Sequence, residues 1–180
     1  MNFIEAFKSH LDYLSSTDFP DLWAEDIFLK RNKFLTRKGS HSPYLYFIKS
    51  GALRIFYQNE TEDLTIRFGY KNSFVLSLPS FLNNEPTEYY IQAIKASHVK
   101  AIHRKVFYRI LEEDKLLADF WRKGTEQLIT EQLEREIDIL TSSPAQRFER
   151  VLKRSPQLFQ EIPLKYIASY LRMSPETLSR

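Results

Sequence analysis

IPLKYIASYLRMSPETLSR, residues 162–180, is the stretch that determines how the rest of the chain is interpreted. An apolar helix face is predicted by four residues at helical spacing: Leu164, Ile167, Ala168 and Leu171. Met173 breaks this spacing. Ser174 and Pro175 then indicate a new helix, because serine caps helix starts and proline fits the first helical position. The stretch predicts two short helices joined by a tight turn.

A pair of helices joined in this way has two interpretations. In the helix-turn-helix motif the second helix enters the major groove of DNA with its N-terminal residues first. Two helices of an ordinary core would show the same periodicity, so periodicity alone leaves both interpretations open. Within the second helix, Glu176 adds negative charge to the first turn and Leu178 is the next inward residue.

The residue identities in this stretch resemble a known sequence motif. IASYLRMSPETLSR, residues 167–180, resembles the helix-turn-helix of the Crp/Fnr superfamily of bacterial transcription regulators, in which the motif is close to IA-x-x-LG-x-SPETLSR. One position departs from it: Arg172 stands where the family usually has glycine. If Arg172 takes a left-handed conformation, the cost is about 1–2 kcal/mol.

The resemblance implies a set of DNA-contacting residues: Pro175, Glu176, Thr177, Ser179 and Arg180. Arg180 would donate two hydrogen bonds to guanine and Glu176 would accept one from cytosine, while Thr177 or Ser179 would hold phosphate. The sequence ends inside the second helix, so we expect a truncated winged helix.

Composition limits the classes of protein that the chain can belong to. With 180 residues, 43% hydrophobic and 27% charged, it fits a soluble globular protein. No apolar run is long enough for a membrane span, and the N-terminus is not a signal peptide, so we expect a cytoplasmic protein. Zero cysteines exclude disulfides and cysteine-ligated iron–sulfur clusters. Residues 142–180 hold seven basic and three acidic residues, which suits a polyanionic partner.

The middle of the chain predicts a β domain. From Ile27 onward, short segments rich in aromatic and β-branched residues alternate with turn signals such as Gly39 and Gly51. RKGSHSPYLYFIKSGALRIF, residues 37–56, resembles part of the Crp/Fnr sensor domain, which is a jelly-roll β-barrel of the cyclic-nucleotide-binding type. The fold class we expect is therefore α+β, with an N-terminal jelly roll, a long dimerisation helix and a C-terminal helix-turn-helix.

The cyclic AMP pocket of this family is compared position by position. Binding needs a carboxylate for the ribose and a cation for the phosphate. The family's Gly-Glu and Arg-Ser pairs fall on Leu76-Ser77 and near Thr87-Glu88. Both required groups are absent, and Glu88 would repel a phosphate. We therefore expect no cyclic AMP binding in the usual mode.

An effector pocket of another kind would be lined by four residues: Phe74, Ser77, Thr87 and Tyr89. The alternative is that the aromatic residues of this region simply fill the core. The four histidines of the chain show no paired ligand spacing, so neither a metal nor a cofactor is expected.

A long helix is predicted over residues 114–140, with an apolar stripe that needs a cover. The cover is either the chain's own barrel or, as the resemblance implies, a second copy. Four residues form the expected dimer interface: Leu117, Trp121, Leu128 and Ile129. Arg135 is expected to pair with Glu131 one turn earlier. Ser143-Pro144 is the predicted boundary before the C-terminal part.

These observations define three predicted units: a sensor barrel at residues 1–113, a dimerisation helix at 114–141 and a DNA-binding unit at 142–180. The resemblance implies a bacterial homodimer on an inverted repeat of double-stranded DNA. RNA polymerase and a small-molecule effector of unknown identity are further partners to consider. One alternative is a degenerate sensor module without DNA binding. A cupin-like enzyme is a second alternative, but no His/carboxylate cluster supports it.

Overall fold

The computed structural model describes the backbone of residues 3–179 and the side chains of residues 5–178. Two four-stranded antiparallel sheets form a β-sandwich near the N-terminus, and helices follow it. The strands are β1 (Glu25–Leu29), β2 (Phe34–Thr36), β3 (Tyr44–Ser50), β4 (Ala52–Gln58), β5 (Asp63–Tyr70), β6 (Phe74–Val75), β7 (Tyr90–Ala93) and β8 (Ser97–His103). The helices are α1 (Phe3–Ser16), α2 (Arg104–Glu113), α3 (Lys115–Leu140), α4 (Pro144–Arg154), α5 (Pro156–Glu161), α6 (Leu164–Leu171) and α7 (Pro175–Ser179).

The strand order confirms the predicted β-sandwich. One sheet has the order β1-β8-β3-β6 and the other β2-β7-β4-β5. Side chains alternate across each strand, so one side of each sheet faces the interior. Ile48, Val99 and Ile91 are fully buried between the sheets. A β-bulge lies opposite the Ile55–Phe56 step of β4, where β5 has one extra residue.

Gly51 shows why the turn between β3 and β4 needs glycine. Its φ is +90°, and an added Cβ would lie 2.3 Å from the carbonyl oxygen of Ala96. A side chain at this position would therefore be strained and would clash with backbone. The turn predicted at this position is confirmed.

The N-terminal helix α1 packs against the end of the sandwich. Its buried residues Phe7 and Leu11 contact α2 and the first part of α3 through Phe107, Ile110 and Leu117. The sequence of residues 15–27 predicts a turn at Phe19-Pro20 followed by a short helix; the structure has turns at this place and no helix between residues 17 and 24. Pro20 and the two aspartates of this segment favour turns over a helix of that length.

Helix α3 matches the predicted long helix to within one residue at its start. Asp114 caps it, because its Oδ1 accepts from the N–H of Leu117 at 2.6 Å. Ser143 caps α4 in the same way, accepting from Gln146 at 3.4 Å, with Pro144 in the first position. The predicted boundary at Ser143-Pro144 therefore coincides with the start of a helix.

Helices α4 to α6 pack on the outer side of the second sheet. Ala52 and Ile94 of the sandwich lie in one apolar cluster with Leu158, Ile167 and Leu171 of the helices. No helix among the described residues is long and apolar enough to cross a membrane.

Candidate nucleic-acid interface

The turn between α6 and α7 has the hydrogen bonds of a Schellman motif. The N–H of Met173 donates to the carbonyl of Ala168 at 3.0 Å, and the N–H of Arg172 donates to that of Ser169 at 3.3 Å. Met173 also packs against the apolar cluster that holds α6. The residue that breaks the helical spacing thus closes the first helix.

Arg172 takes the left-handed conformation for which glycine is usual, with φ 56° and ψ 48°. The strain expected from the sequence, about 1–2 kcal/mol, is therefore present. The carbonyl of Arg172 accepts from Nη2 of Arg147 at 3.3 Å. This hydrogen bond to a charged group stabilises the strained residue.

The first turn of α7 is capped and exposed. The hydroxyl of Ser174 accepts from the N–H of Thr177 at 3.2 Å, as the sequence predicts. Pro175, Glu176 and Thr177 are all exposed, whereas Leu178 packs against the apolar cluster. The backbone N–H of Glu176 and a hydrogen bond with Ser174 lower the pKa of the Glu176 carboxyl. The side chain of Ser179 and all of Arg180 lie outside the described residues.

The basic residues before the turn are largely committed to contacts inside the chain. Arg150 and Arg154 of α4 pair with carboxylates of α3, and Arg147 donates to two backbone carbonyls. Lys153 and Arg172 are exposed. The count of seven basic residues in the sequence therefore overstates the charge available to a polyanion.

An ionic cluster that the sequence did not predict joins α3 to α4. Asp138 is fully buried and accepts from Nε of Arg150 at 3.0 Å and from Arg154. Glu134 accepts from Arg150 at 2.9 Å. The bond to Asp138 raises the pKa of Arg154. A sequence signal exists in the acidic end of α3 and the basic end of α4, but it gives no pairing.

Arg135 corrects a predicted pair. It does not pair with Glu131, whose carboxylate instead lies 3.3 Å from Arg67. The Arg135 side chain is buried, with its guanidinium 3.9 Å from the ring centroid of Tyr170 of α6. Burial lowers the pKa of Arg135. Arg135 lies on the side of α3 that faces α6, so its guanidinium stacks on the ring of Tyr170 instead of pairing with Glu131.

Ser169 of α6 fills the free edge of the second sheet. Its hydroxyl donates to the carbonyl of Asp63 at 2.9 Å and accepts from the N–H of Thr65 at 3.1 Å. Both groups belong to β5, an edge strand. The Ser169 side chain thus satisfies two backbone groups of the edge strand and fixes α6 to the sandwich.

The four residues of the expected effector pocket lie in different packing environments. Phe74 packs in the cluster with α1, and Tyr89 packs between the sheets. Ser77 and Thr87 are buried. Two clefts among the described residues, one beside His103 and one beside Met173, are lined by other residues, and the effector pocket stays a prediction.

The residues at the positions compared with the cyclic AMP pocket lack the charged groups that its usual mode of binding uses. Glu88 lies 3.2 Å from Nζ of Lys38, so the cation of this region is already paired. The hydroxyl of Ser77 is buried without a hydrogen-bond partner among the described residues. No carboxylate stands at Ser77 for a ribose, and the exposed Glu88 opposes a phosphate.

The predicted dimer residues divide between the interior and the surface. Leu117 is fully buried within the chain, and Trp121 packs against Phe107 with ring centroids 4.9 Å apart. These two positions are corrected to core positions, because the start of α3 covers the sandwich. Leu128 is half-buried, and Ile129 is exposed. Ile129 begins an exposed apolar stripe on α3: Ile129, Leu133, Ile137 and Leu140.

The sandwich and the helix after it match a known protein family. The family model described as Cyclic nucleotide-binding domain matches residues 27–114, which are β1 to the end of α2. Residues 27–114 are therefore similar to a cyclic nucleotide-binding domain. No curated protein matches the chain.

Solved structures extend this fold over most of the chain. A CooA variant from Carboxydothermus hydrogenoformans is similar with TM-score 0.75 and 15% identity, over 94% of this chain and 80% of that chain. FixK2 from Bradyrhizobium japonicum is similar with TM-score 0.69 and 15% identity, over 87% of this chain and 81% of that chain. The catabolite activator protein of Thermus thermophilus is similar with TM-score 0.55 and 19% identity, over 87% of this chain and 75% of that chain. These likenesses confirm, over most of the chain, the fold that the resemblance implies.

Proposed function

We propose that this protein is a sequence-specific DNA-binding transcription regulator of the Crp/Fnr type. The observation that carries the proposal is the exposed, capped first turn of α7 directly after a Schellman turn. This arrangement exposes Pro175, Glu176 and Thr177 on the face that would enter a major groove, while Leu178 packs against the apolar cluster. Residues 142–180 act as the DNA-binding unit in this proposal.

The proposal includes a homodimer that binds an inverted repeat. The exposed apolar stripe on α3 is the surface that a second copy would cover. A two-fold axis along α3 places two copies of α7 in successive major grooves, about 34 Å apart. Arg180 and Ser179 keep the roles implied by the resemblance, with guanine and phosphate contacts respectively. The proposal assigns no effector.

Selection of genomic fragments with the purified protein tests the proposal. We expect an enriched inverted repeat whose affinity falls steeply with salt, because phosphate contacts release counterions. A correctly dimeric protein that enriches no fragment would contradict the proposal and favour a sensor module without DNA binding.

A pair of variants then tests the assigned face. Glu176→Gln removes a carboxylate from the first turn of α7, and Glu149→Gln removes one from the exposed side of α4. We expect only Glu176→Gln to change the preferred base at one symmetric pair of positions, by about 1–3 kcal/mol. Identical sequence preferences for the two variants would move the recognition surface away from α7.

A further inference from the structure

Arg147 joins the ends of two helices that are far apart in the sequence. Its Nη1 donates to the carbonyl of Thr141 at 2.8 Å, and its Nη2 donates to the carbonyl of Arg172 at 3.3 Å. Thr141 directly follows α3 and Arg172 directly follows α6. Carbonyls at helix C-termini lack partners within the helix and carry partial negative charge. The planar fork of arginine satisfies one carbonyl at each end.

The same geometry removes Arg147 from the surface that a polyanion would meet. The side chain is half-buried, and its Nε is buried without a hydrogen-bond partner among the described residues. Both terminal nitrogens are used by the two carbonyls. Lys153 lies on the same helix, carries the same charge, is exposed and makes no hydrogen bond or ion pair within the described part of the chain. A phosphate contact from α4 would use a residue such as Lys153.

The bond to Arg172 falls at the point that sets the direction of α7. Arg172 is the single left-handed residue of the turn, and Ser174, two residues later, caps α7. Fixing the carbonyl of Arg172 fixes the peptide plane from which the chain leaves α6. The bond to Thr141 fixes the same guanidinium to the end of α3.

We propose that Arg147 is the positioning residue of the α7 surface. It holds the turn at residues 172–174, and therefore the first turn of α7, at a set angle to the end of α3. This inference rests on the proposed DNA-binding function for its consequence, but its structural part stands on the two hydrogen bonds alone. A positioning residue should affect sequence discrimination, whereas a phosphate contact affects binding to every sequence equally.

Amide hydrogen exchange on the full chain tests the structural part. Three backbone amides report on the turn. That of Met173 donates to the carbonyl of Ala168, and those of Thr177 and Leu178 donate to the hydroxyl and the carbonyl of Ser174 respectively. Arg147→Ala should accelerate their exchange about tenfold or more, since it removes two hydrogen bonds. Arg147→Lys keeps the charge and one contact and should give an intermediate rate. Lys153→Ala, the matched control, should leave the rates unchanged. Equal rates in Arg147→Ala and Lys153→Ala would overturn the inference.

DNA binding tests the functional part, with the selected inverted repeat and a scrambled duplex of the same length. Arg147→Ala should lose about tenfold or more affinity for the repeat, match the wild type on the scrambled duplex, and keep the wild-type salt dependence. A uniform loss on both duplexes, with a salt slope reduced by about one, would make Arg147 a phosphate contact and overturn the inference.

The two failures are distinguishable. If the wild-type chain discriminates no duplex, the proposed function fails, and amide exchange alone decides whether Arg147 holds the turn. If Arg147→Ala does not fold, Arg147→Lys decides, because wild-type exchange and wild-type discrimination in that variant would overturn the inference.

Discussion

The two halves of α3 have opposite polarity. In the first half, residues 115–127, the side facing the chain is apolar, with Leu117 fully buried and Trp121 packed against Phe107. Its outer side is polar, and Arg122 pairs there with Asp119 and Glu126. This half has the ordinary arrangement of a helix that covers a core.

In the second half, residues 128–140, the arrangement is reversed. Arg135 and Asp138 are buried on the side facing the chain, where they contact α4 and α6. The outer side carries the exposed apolar stripe defined above, with Leu133 exposed by 56% and Leu140 by 81%. A helix of this kind is held by directional contacts on one side and leaves an apolar surface on the other.

The difference indicates that the halves serve different contacts. The first half completes the sandwich and needs no second copy. The second half fixes the orientation of the C-terminal helices through charges whose geometry is specific, and its outer stripe favours an interface between copies. Four substitutions test this division, in order of expected effect.

Asp138→Ala should have the largest effect, a loss of about 3–5 kcal/mol in the free energy of unfolding. The substitution leaves Arg150 and Arg154 without their buried partner. Asp119→Ala, on the exposed outer side of the first half, is the control and should stay within about 0.5 kcal/mol of wild type. Urea unfolding measures both. Equal losses would show that the inner ionic contacts do not hold the helices.

Trp121→Ala should lower the free energy of unfolding by about 3 kcal/mol without changing the oligomeric state. The indole packs on Phe81 and Phe107, so its removal leaves a cavity inside the chain. Urea unfolding and sedimentation measure the two quantities. A shift to monomer with unchanged unfolding would place Trp121 in the interface after all and remove the division of α3 into halves.

Leu133→Arg should weaken association of two copies about 100-fold, equivalent to about 2.7 kcal/mol, because it places a charge in the apolar stripe. Leu116→Arg is the matched control, since Leu116 is 51% exposed on the same helix but outside the stripe. Sedimentation of both variants measures the change. Dissociation in Leu116→Arg alone would assign the interface to the first half.

The apolar part of this arrangement is visible in the sequence, and the polar part is not. Helical spacing predicts α3 and α6, and serine-proline pairs predict the starts of α4 and α7, because these signals are local. The left-handed Arg172 was found through a departure from a family motif.

The buried charges were missed for a physical reason. The pairs that Asp138 and Arg147 make depend on how α4 packs on α3 and α6, and a one-dimensional pattern does not contain that packing. Two of the four predicted dimer residues, Leu117 and Trp121, lie against the sandwich for the same reason: an apolar stripe predicts that a helix needs a cover, but only the packing decides which residues the chain covers itself.

Asp114, at the start of α3, is the exception to the apolar inner side of the first half, and it gives the smallest predicted effect. Partial burial raises the pKa of this carboxyl, but the N–H of Leu117 and the His10 ring, 2.9 Å away, outweigh that cause and hold it below its ordinary value of 3.8. A carboxyl whose pKa is lowered by folding stabilises the fold above its unfolded pKa, and this contribution is lost as the pH falls through its folded pKa.

Asp114→Asn keeps a capping side chain but removes the charge, so it should cost less than about 1 kcal/mol at neutral pH. The difference from wild type should shrink as the pH falls through the lowered folded pKa of the Asp114 carboxyl. Urea unfolding at several pH values measures this, with the exposed Glu112→Gln as control. A difference that persists at the lowest pH would mean that Asp114 stabilises the fold through packing and not through its charge. The inner side of the first half of α3 would then be held by apolar contacts alone.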